Sequence, residues 1–251
     1  MKLPEDLPKK LKHDAIVEVN FEARFDTDLL VAEILFGRLA DTPAWKGFLQ
    51  RRLPTADIPA ALRRADPDLR YQSSIQLIDS AGIRRVGIGP QNLSFSRVAP
   101  YPGWDEKFGE EVGEVIDILF KAVPNISVTR LGLRYVNALR SDLHGIAGIE
   151  SMNLKLSLGT EAITRKLNVN YTVPTSTDSS CTVRIASADL AHGSIPENTT
   201  LVVDLDVYTN EGYQTSDSSA TKAWAATAHL AEKRIFFGLL TDETIKHLRS
   251  D

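Results

Sequence analysis

RLGLRYVNAL, residues 130 to 139, is the stretch of sequence that decides the fold. Its side chains alternate in character, which predicts a β-strand with two different faces, because successive side chains of a strand point to opposite sides. The candidate core face carries Leu131, Leu133, Tyr135 and Asn137. The opposite face carries Arg130 and Arg134 with Gly132 and Val136 between and after them. We expect Asn137 to end the core pattern by hydrogen-bonding to backbone at the edge of the strand.

Two further stretches show the same alternation. In DAIVEVNFEARF, residues 14 to 25, apolar residues occupy every second position, which is typical of a half-buried strand. Its outer face carries Glu18, Asn20, Glu22 and Arg24. In TTLVVDLDVYT, residues 199 to 209, the outer face carries Asp204, Asp206 and Tyr208. Three strands therefore offer carboxylates or arginines to what could be one surface.

These outward charges are the candidate site. The binding candidates are Arg130, Arg134, Glu18, Glu22, Asp204 and Asp206. The simpler interpretation is cross-strand ion pairing on a solvated sheet face, in which each pair contributes ~0.2–1 kcal/mol. The alternative is a binding surface whose arginines hold a carboxylate, a phosphate or a partner's acidic residues, because the guanidinium fork donates in pairs. Catalysis by Asp204 and Asp206 is the weakest interpretation, since an Asp-x-Asp pair on a strand is common.

The remaining elements follow from periodicity and turn residues. Helices are predicted over residues 27 to 40, with Thr27 as its cap and Asp28 in its first turn, over residues 103 to 123, over residues 218 to 237 before Gly238, and from Thr241 onward. Further strands are predicted over residues 71 to 80, 84 to 90, 92 to 99, 162 to 173 and 181 to 190. Residues 41 to 70 hold four prolines, so helices there are short, and Trp45, Phe48 and Leu49 are expected to fix this segment to the core. Residues 140 to 160 are ambiguous, with one strand expected near MNLKLSL.

The order of elements points to an internal duplication. Residues 1 to 125 read as strand, helix, three strands and a long helix, and residues 126 to 251 read as strand, an uncertain segment, three strands and a long helix. We therefore predict an α+β protein with an extended, mostly antiparallel sheet, with helices packed on one face, and with two β-x-βββ-α halves in one continuous globular unit. Saddle-shaped duplicated folds of the TATA-binding-protein type share this element order, but the analogy concerns architecture alone.

Composition excludes several classes of protein. The 251 residues are 43% hydrophobic and 25% charged, which is ordinary for a globular protein. The net charge of −4 argues against general nucleic-acid binding, which favours a strongly basic domain. No apolar run reaches the ~18 residues of a membrane helix, and the N-terminus lacks the apolar segment of a secretory signal. A cytoplasmic location is therefore expected.

Motifs of known chemistry are missing from the sequence. The single cysteine, Cys181, reads as a small hydrophobic residue in a strand, and the five histidines have no zinc-binding spacing, so neither a metal nor a cofactor is predicted. His229 is expected to have a packing or capping role. Three arginine pairs, Arg51-Arg52, Arg63-Arg64 and Arg84-Arg85, lie in a stretch that reads as weakly structured. A solvated surface is the simpler interpretation of these pairs, and contact with a phosphate backbone is the alternative.

Several stretches resemble an uncharacterised prokaryotic protein family of about 250 residues. They are LPKKL at residues 7 to 11, AIVEVNFEARF, GPQNLSFS, YPGW at residues 101 to 104, RLGLRYVN, and HLAEKRIFFGLLTDE at residues 229 to 243. The resemblance covers nearly the whole chain, and RLGLRYVN is its most specific part. The family is scattered sporadically among bacterial genomes and has no assigned catalytic residues, so the resemblance implies no residue roles. Its patchy distribution implies a dispensable role, such as defence or a toxin–antitoxin-like module.

The sequence therefore favours a non-catalytic protein of the interaction or accessory type, with a protein as its partner. A homodimer and nucleic-acid binding are left open as further associations, and a membrane partner is not expected. Nucleic-acid binding through the arginine pairs is the first alternative function. The second is an enzyme acting on a small anionic substrate, with Arg130 or Arg134 holding the anion and Asp204 or Asp206 as the base.

Overall fold

The fold is α+β, as predicted, and its centre is a nine-stranded antiparallel sheet. The computed structural model describes residues 7–8, 11–27, 31–67, 69–191 and 195–249. The strands are β1 (Ile16–Asp26), β2 (Leu49–Arg52), β3 (Ile75–Ile78), β4 (Arg84–Gly89), β5 (Asn92–Val98), β6 (Ser127–Arg140), β7 (Ser157–Leu158), β8 (Glu161–Ala162), β9 (Asn168–Pro174), β10 (Ser179–Ser187) and β11 (Thr199–Thr209). The helices are α1 (Val31–Asp41), α2 (Ala60–Ala65), α3 (Gly109–Ala122), α4 (Ser141–His144), α5 (Ser218–Gly238) and α6 (Asp242–Leu248).

The strand order has an internal regularity. It runs β2-β3-β4-β5-β1-β6-β11-β10-β9, while β7 and β8 form a separate hairpin. Outward from the central strands β1 and β6, the order is β5, β4, β3 on one side and β11, β10, β9 on the other. Two duplicated β-x-βββ-α halves would have this order, and β2 is the extra strand of the first half. The duplication itself, with halves 1 to 125 and 126 to 251, stays a prediction.

The chain divides into two compact units. Unit 1 comprises Met1–Val19, Arg134–Val207 and Ala228–Asp251, and unit 2 comprises Asn20–Leu133 and Tyr208–Thr227. The boundaries fall within the long strands β1, β6 and β11 and within helix α5, so these four elements pass from one unit to the other.

The core of unit 2 forms between β4, β5 and helix α3. Phe95 of β5 is fully buried, and its ring stacks on that of Phe108 at a centroid distance of 5.4 Å. Trp45 meets the other side of Phe95 edge-on at 5.2 Å. Helix α3 follows a π-helical turn, Trp104–Phe108, and buries Val112 and Leu119 among others. The predicted helix over residues 103 to 123 is thus confirmed, with a wider first turn.

The core of unit 1 forms where strands β6 and β10 meet the second part of α5. Tyr135 and Cys181 are fully buried, and so is Val183. Helix α5 ends at Gly238, as predicted. The last helix, α6, is also confirmed, because the hydroxyl of Thr241 accepts a hydrogen bond from the backbone N–H of Thr244 at 3.2 Å and so caps its first turn.

Asn137 does not end the core pattern of β6, which corrects one prediction. Asn137 is buried, and its side-chain amide donates to the backbone carbonyl of Val203 at 3.3 Å. The bond to backbone was expected, but Leu139 beyond it is fully buried and the strand continues to Arg140. A buried asparagine is tolerated within a strand when a carbonyl accepts from its amide.

Some other predictions of local structure also need correction. Leu49 is 68% exposed, because it lies in β2 at one end of the sheet, whereas Trp45 is buried as expected. The strand expected near MNLKLSL is only the two-residue β7, Ser157–Leu158, and β9 begins at Asn168 instead of residue 162. Helix α1 is described from Val31, and the first-turn role predicted for Asp28 lies outside the described residues.

Candidate binding face

The six predicted site residues divide between the two units. Glu18, Arg134, Asp204 and Asp206 belong to unit 1, and Glu22 and Arg130 belong to unit 2. All six lie on strands β1, β6 and β11; Asp204 is buried, and the other five are partly or more exposed. Together with their neighbours they form two groups. We call Glu18, Arg134, Arg184, Asp204 and Asp206 the Arg134 cluster, and Glu22, Arg24, Tyr71, Arg130 and Tyr208 the Arg130 cluster.

A two-pronged ion pair is at the centre of the Arg134 cluster. The Nε of Arg134 donates to Oδ1 of Asp204 at 2.7 Å, and its Nη2 donates to Oδ2 at 2.7 Å. This parallel arrangement fixes the plane of both groups, and it is the strong form of an arginine–carboxylate contact. Arg184 of β10 lies nearby, with its Nη1 3.8 Å from Oδ2 of Asp204.

The electrostatics of this cluster keep Arg134 cationic. Its hydrogen bonds with Asp204 raise the pKa of Arg134, the negative charges of Asp204, Glu18 and Asp206 add to that effect, and partial burial opposes it. The side chain of Arg134 is still 44% exposed and that of Arg184 54% exposed. The cluster therefore presents ordered charges of both signs to its surroundings.

The Arg130 cluster is built around one carboxylate oxygen. Oε1 of Glu22 accepts from Nη1 of Arg130 at 3.0 Å and from Nε of Arg24 at 2.6 Å. Each guanidinium also stacks over an aromatic ring, Arg130 over Tyr208 at 5.1 Å and Arg24 over Tyr71 at 4.7 Å. Rings in this position stabilise a cation from the side that the carboxylate leaves open.

The predicted cross-strand ion pairing is confirmed for both arginines of RLGLRYVNAL. Arg130 meets Glu22, and Arg134 meets Asp204. Sequence reasoning missed Arg184, although the alternation of CTVRIAS would have placed it on the same outward face as Arg134's partners. It also missed the role of Tyr71, which begins the strand predicted over residues 71 to 80 but lies outside any regular element, since β3 begins at Ile75.

A second group of polar residues lies in the core of unit 1. The hydroxyl of Tyr135 lies 3.0 Å from Nδ1 of His229, so His229 does have a packing role. Three residues further along α5, Glu232 is buried, and this burial raises its pKa to about 8. Burial also raises the pKa of the Cys181 thiol, and the charges of Glu232 and Asp206 reinforce the rise. Cys181 is therefore an inert buried residue, as predicted, because nucleophilic attack needs the thiolate.

The arginine pairs do not lie in a weakly structured stretch, which corrects that expectation. Arg52 of β2 bonds to Asp57 at 2.9 Å, and Arg84 of β4 bonds to Glu111 at 3.3 Å. Arg63 of α2 donates to a backbone carbonyl, as does Arg85 of β4. The side chain of Arg64 lies outside the described part of the chain.

A surface cleft of about 480 Å³ lies between α1 and α3 in unit 2. Arg38, Asp117 and Lys121 are among its lining residues, and none of the six predicted site residues lines it. Asp117 is held there by Lys222 at 2.6 Å.

Two properties of the described residues bear on cofactors and membranes. In the part of the chain that the structure describes, no three histidine, cysteine or carboxylate side chains are grouped to hold a metal ion. The helices described are all too short or too polar to cross a membrane.

No protein-family model matches the sequence, and no curated protein matches it.

Proposed function

We propose that this protein is a non-catalytic interaction module that binds another protein through the Arg134 cluster. The proposal rests chiefly on the two-pronged pair of Arg134 and Asp204, in which the carboxylate is buried while the side chain of Arg134 stays 44% exposed. Charged groups that are already oriented lose little side-chain entropy on binding, and they give an interface its register and specificity.

The chemistry of the cluster favours a protein surface of mixed charge as the partner. Its two arginines and three carboxylates offer donors and acceptors at once. A polyanion would be attracted to the arginines and repelled by Glu18, Asp204 and Asp206. A protein surface carrying both signs can match both, and arginine is among the residues enriched at protein interfaces.

The alternatives receive less support. Both oxygens of Asp204 accept hydrogen bonds from Arg134, so this carboxylate is poorly suited to act as a general base. Nucleic-acid binding through the arginine pairs is disfavoured because Arg52 and Arg84 are already engaged by Asp57 and Glu111. The resemblance to a sporadically distributed prokaryotic family suggests that the partner is the product of a neighbouring gene, as in a defence or toxin–antitoxin-like system.

Co-expression with the products of the neighbouring genes tests the proposal. We expect a stable complex with one of them, and we expect Arg134→Glu to weaken it by at least tenfold, because the change places a fourth carboxylate in the cluster. Arg234→Glu on α5 is the matched control, since Arg234 is exposed and lies outside the cluster. A complex that tolerates both changes, or no complex with any neighbouring product, would refute the proposal.

A further inference from the structure

One end of the sheet carries no charge. Strand β9, NVNYTVP, is the last strand in the order and pairs with β10. Among the described residues no other strand pairs with it. Exposed strands at sheet ends normally carry charged residues, because their free backbone groups invite pairing with another chain. The uncharged composition of β9 therefore suggests that its outer side is occupied in the functional protein.

The hydrogen bonds flanking β9 show which backbone groups face outward. At one end Thr175 donates to the carbonyl of Ser179 at 2.9 Å, and at the other Ser187 donates to the carbonyl of Leu167 at 2.9 Å. Because bonded and non-bonded positions alternate along an antiparallel pair, the backbone groups of Tyr171 face β10. The groups of the residues on either side of it, Asn170 and Thr172, point away from the sheet.

The sequence of β9 is nearly symmetric about Tyr171. Asn170 and Thr172 flank it and Val169 and Val173 come next, and the symmetry ends at Asn168, whose counterpart is Pro174. Such a strand matches itself when it is turned around and paired antiparallel. Self-matching of one patch is the requirement for a twofold dimer interface.

We infer that two copies of this protein associate by antiparallel pairing of β9 with β9, with the twofold axis at Tyr171. Asn170 of each copy then exchanges backbone hydrogen bonds with Thr172 of the other, and the strand as a whole forms about six such bonds across the axis. Pro174 lacks an N–H and lies at the end of the pairing, where an edge strand tolerates proline. This inference goes beyond the proposed function, since it does not involve the Arg134 cluster.

The pairing also covers apolar surface. Val169, Tyr171 and Val173 are half-buried and share a face with their β10 partners Ile185, Val183 and Cys181, which are fully buried. Across the axis, Val169 of one copy meets Val173 of the other, and the two Tyr171 rings lie side by side. Aromatic and β-branched pairs of this kind stabilise cross-strand contacts.

The other end of the sheet explains why the association stops at two copies. Strand β2, LQRR, is exposed throughout and carries Arg51 and Arg52. Pairing of β2 with a second β2 would bring these like charges together, which is unfavourable. One self-matching end and one charged end give a closed dimer and no filament.

Proline substitutions distinguish the two ends. We expect the full-length protein at micromolar concentration to have twice its mass of 27.7 kDa in light scattering. Thr172→Pro removes an outward N–H without touching the bonds to β10, so it is expected to raise the dimer dissociation constant by at least about 30-fold while the circular dichroism spectrum is kept. Gln50→Pro is the matched control on β2 and is expected to leave the dimer intact. A monomeric wild-type protein, a dimer that survives Thr172→Pro, or one lost equally in both variants would overturn the inference.

A cysteine scan tests the register without proline. Opposite residues at a non-hydrogen-bonded position have Cα atoms ~4.5 Å apart, a distance that a disulfide can span. Tyr171→Cys is therefore expected to form a covalent dimer on mild oxidation, whereas Val169→Cys is not, because its counterpart across the axis is Val173. Cys181 is fully buried and does not interfere. A non-covalent dimer in which Val169→Cys cross-links as fast as Tyr171→Cys would refute pairing centred on Tyr171.

Discussion

Two glutamates, one in each unit, are buried to the same extent and yet have opposite surroundings. Glu111 on α3 is 1% exposed, and Glu232 on α5 is 5% exposed. Glu111 accepts from Nη1 of Arg97 at 2.8 and 2.7 Å and from Nη1 of Arg84 at 3.3 Å. For Glu232 burial dominates the pKa and raises it, with an opposing effect from the charge of Lys233, and the charge of Glu232 in turn raises the pKa of the Cys181 thiol.

The difference shows that the neighbours of a buried carboxyl group, and not its depth, decide its charge. Two guanidinium groups replace the water that Glu111 loses, and Arg84 is itself held by the carbonyl of Ala44 at 2.7 Å and by the ring of Trp45. At Glu232 burial outweighs the charge of Lys233, so this group avoids the cost of desolvation by keeping its proton up to pH 8 or so. Glu111 and its two arginines form a structural ion cluster, whereas Glu232 makes the stability of the fold depend on pH.

The largest expected loss of stability comes from removing the charge of Glu111. Glu111→Gln leaves two partly buried guanidinium groups without a counter-charge, and we expect it to lower the free energy of unfolding by about 3–5 kcal/mol. Urea unfolding followed by circular dichroism measures this loss. Glu110→Gln is the matched control, because the neighbouring Glu110 is 63% exposed and bonds only to Lys107, and its change is expected to stay below about 1 kcal/mol. Equal losses of stability in the two variants would contradict a larger contribution from the buried ion cluster of Glu111.

Replacing Glu232 should instead raise the free energy of unfolding at neutral pH. The pKa of Glu232 rises from its usual value of 4.5 to about 8 on folding. The folded state therefore holds a proton that the unfolded state releases, and stability contributed by this group is complete below pH 4.5 and is lost as the pH rises toward 8. The loss is about 1.4 kcal/mol per pH unit of that window, a few kcal/mol in all.

Glu232→Gln tests this, because glutamine keeps the shape and cannot ionise. The unfolding free energy of the variant minus that of the wild type should increase steadily between pH 4.5 and 8 and then level off. Glu243→Gln on α6 is the control, since Glu243 is exposed. A difference between Glu232→Gln and the wild type that does not vary with pH would show that Glu232 is ionised in the folded protein.

The two glutamates also mark how far the sequence could predict this molecule. The sheet was predictable, because β1, β6 and β11 are long and their alternation is regular, and the pairing of Arg130 and Arg134 with outward carboxylates followed from it. The sequence could not show that Glu111 is ion-paired whereas Glu232 has a raised pKa, since both residues lie in charged stretches of long helices. Their surroundings depend on Arg84, Arg97 and Cys181, which are distant in the chain and are placed by the sheet.

The elements at the ends of the sheet were predicted less well. β2 was not predicted, and the strand predicted over residues 162 to 173 begins only at Asn168, as β9. The exposed Leu49 looked like a core residue only because its side chain is apolar. Tyr71 stacks on Arg24 although it belongs to no strand or helix. Such contacts are set by tertiary structure, for which a single sequence gives no local signal.

His144 is a buried base and extends the comparison. Burial lowers the pKa of a base, so stability is expected to fall as the pH decreases. His144 is buried, and its Nδ1 accepts the backbone N–H of Arg140 at 2.9 Å, which holds the ring neutral. Burial lowers its pKa below 6.5, and the charges of His13 and Arg140 add to this, while the backbone of Asp14 and His13 opposes it. Stability from this group is complete above pH 6.5 and is lost as the pH falls below it.

His144→Asn keeps an acceptor for the N–H of Arg140 and removes the titration. We expect the variant to lose less stability than the wild type between pH 7 and 5 in urea unfolding. His247→Asn is the control, since His247 is exposed on α6 and lies against Gly145. If both variants followed the wild-type profile, His144 would have to be protonated in the folded protein without cost.

The smallest expected effect concerns the exposed counterpart of the Glu111 cluster. Arg134 donates to Asp204 through two nitrogens, whereas Arg97 donates to both oxygens of Glu111 through Nη1 alone, but Arg134 is 44% exposed and Arg97 only 14%. A double-mutant cycle with Arg134→Ala and Asp204→Ala should therefore give a coupling energy of only ~0.5–1 kcal/mol in unfolding, because water reaches the half-exposed guanidinium and screens the pair. A coupling as large as the loss in Glu111→Gln would show that geometry outweighs exposure, and it would make the pair a structural element. A small coupling means that this well-oriented pair contributes little to folding, which leaves its energy available for a partner that excludes the water.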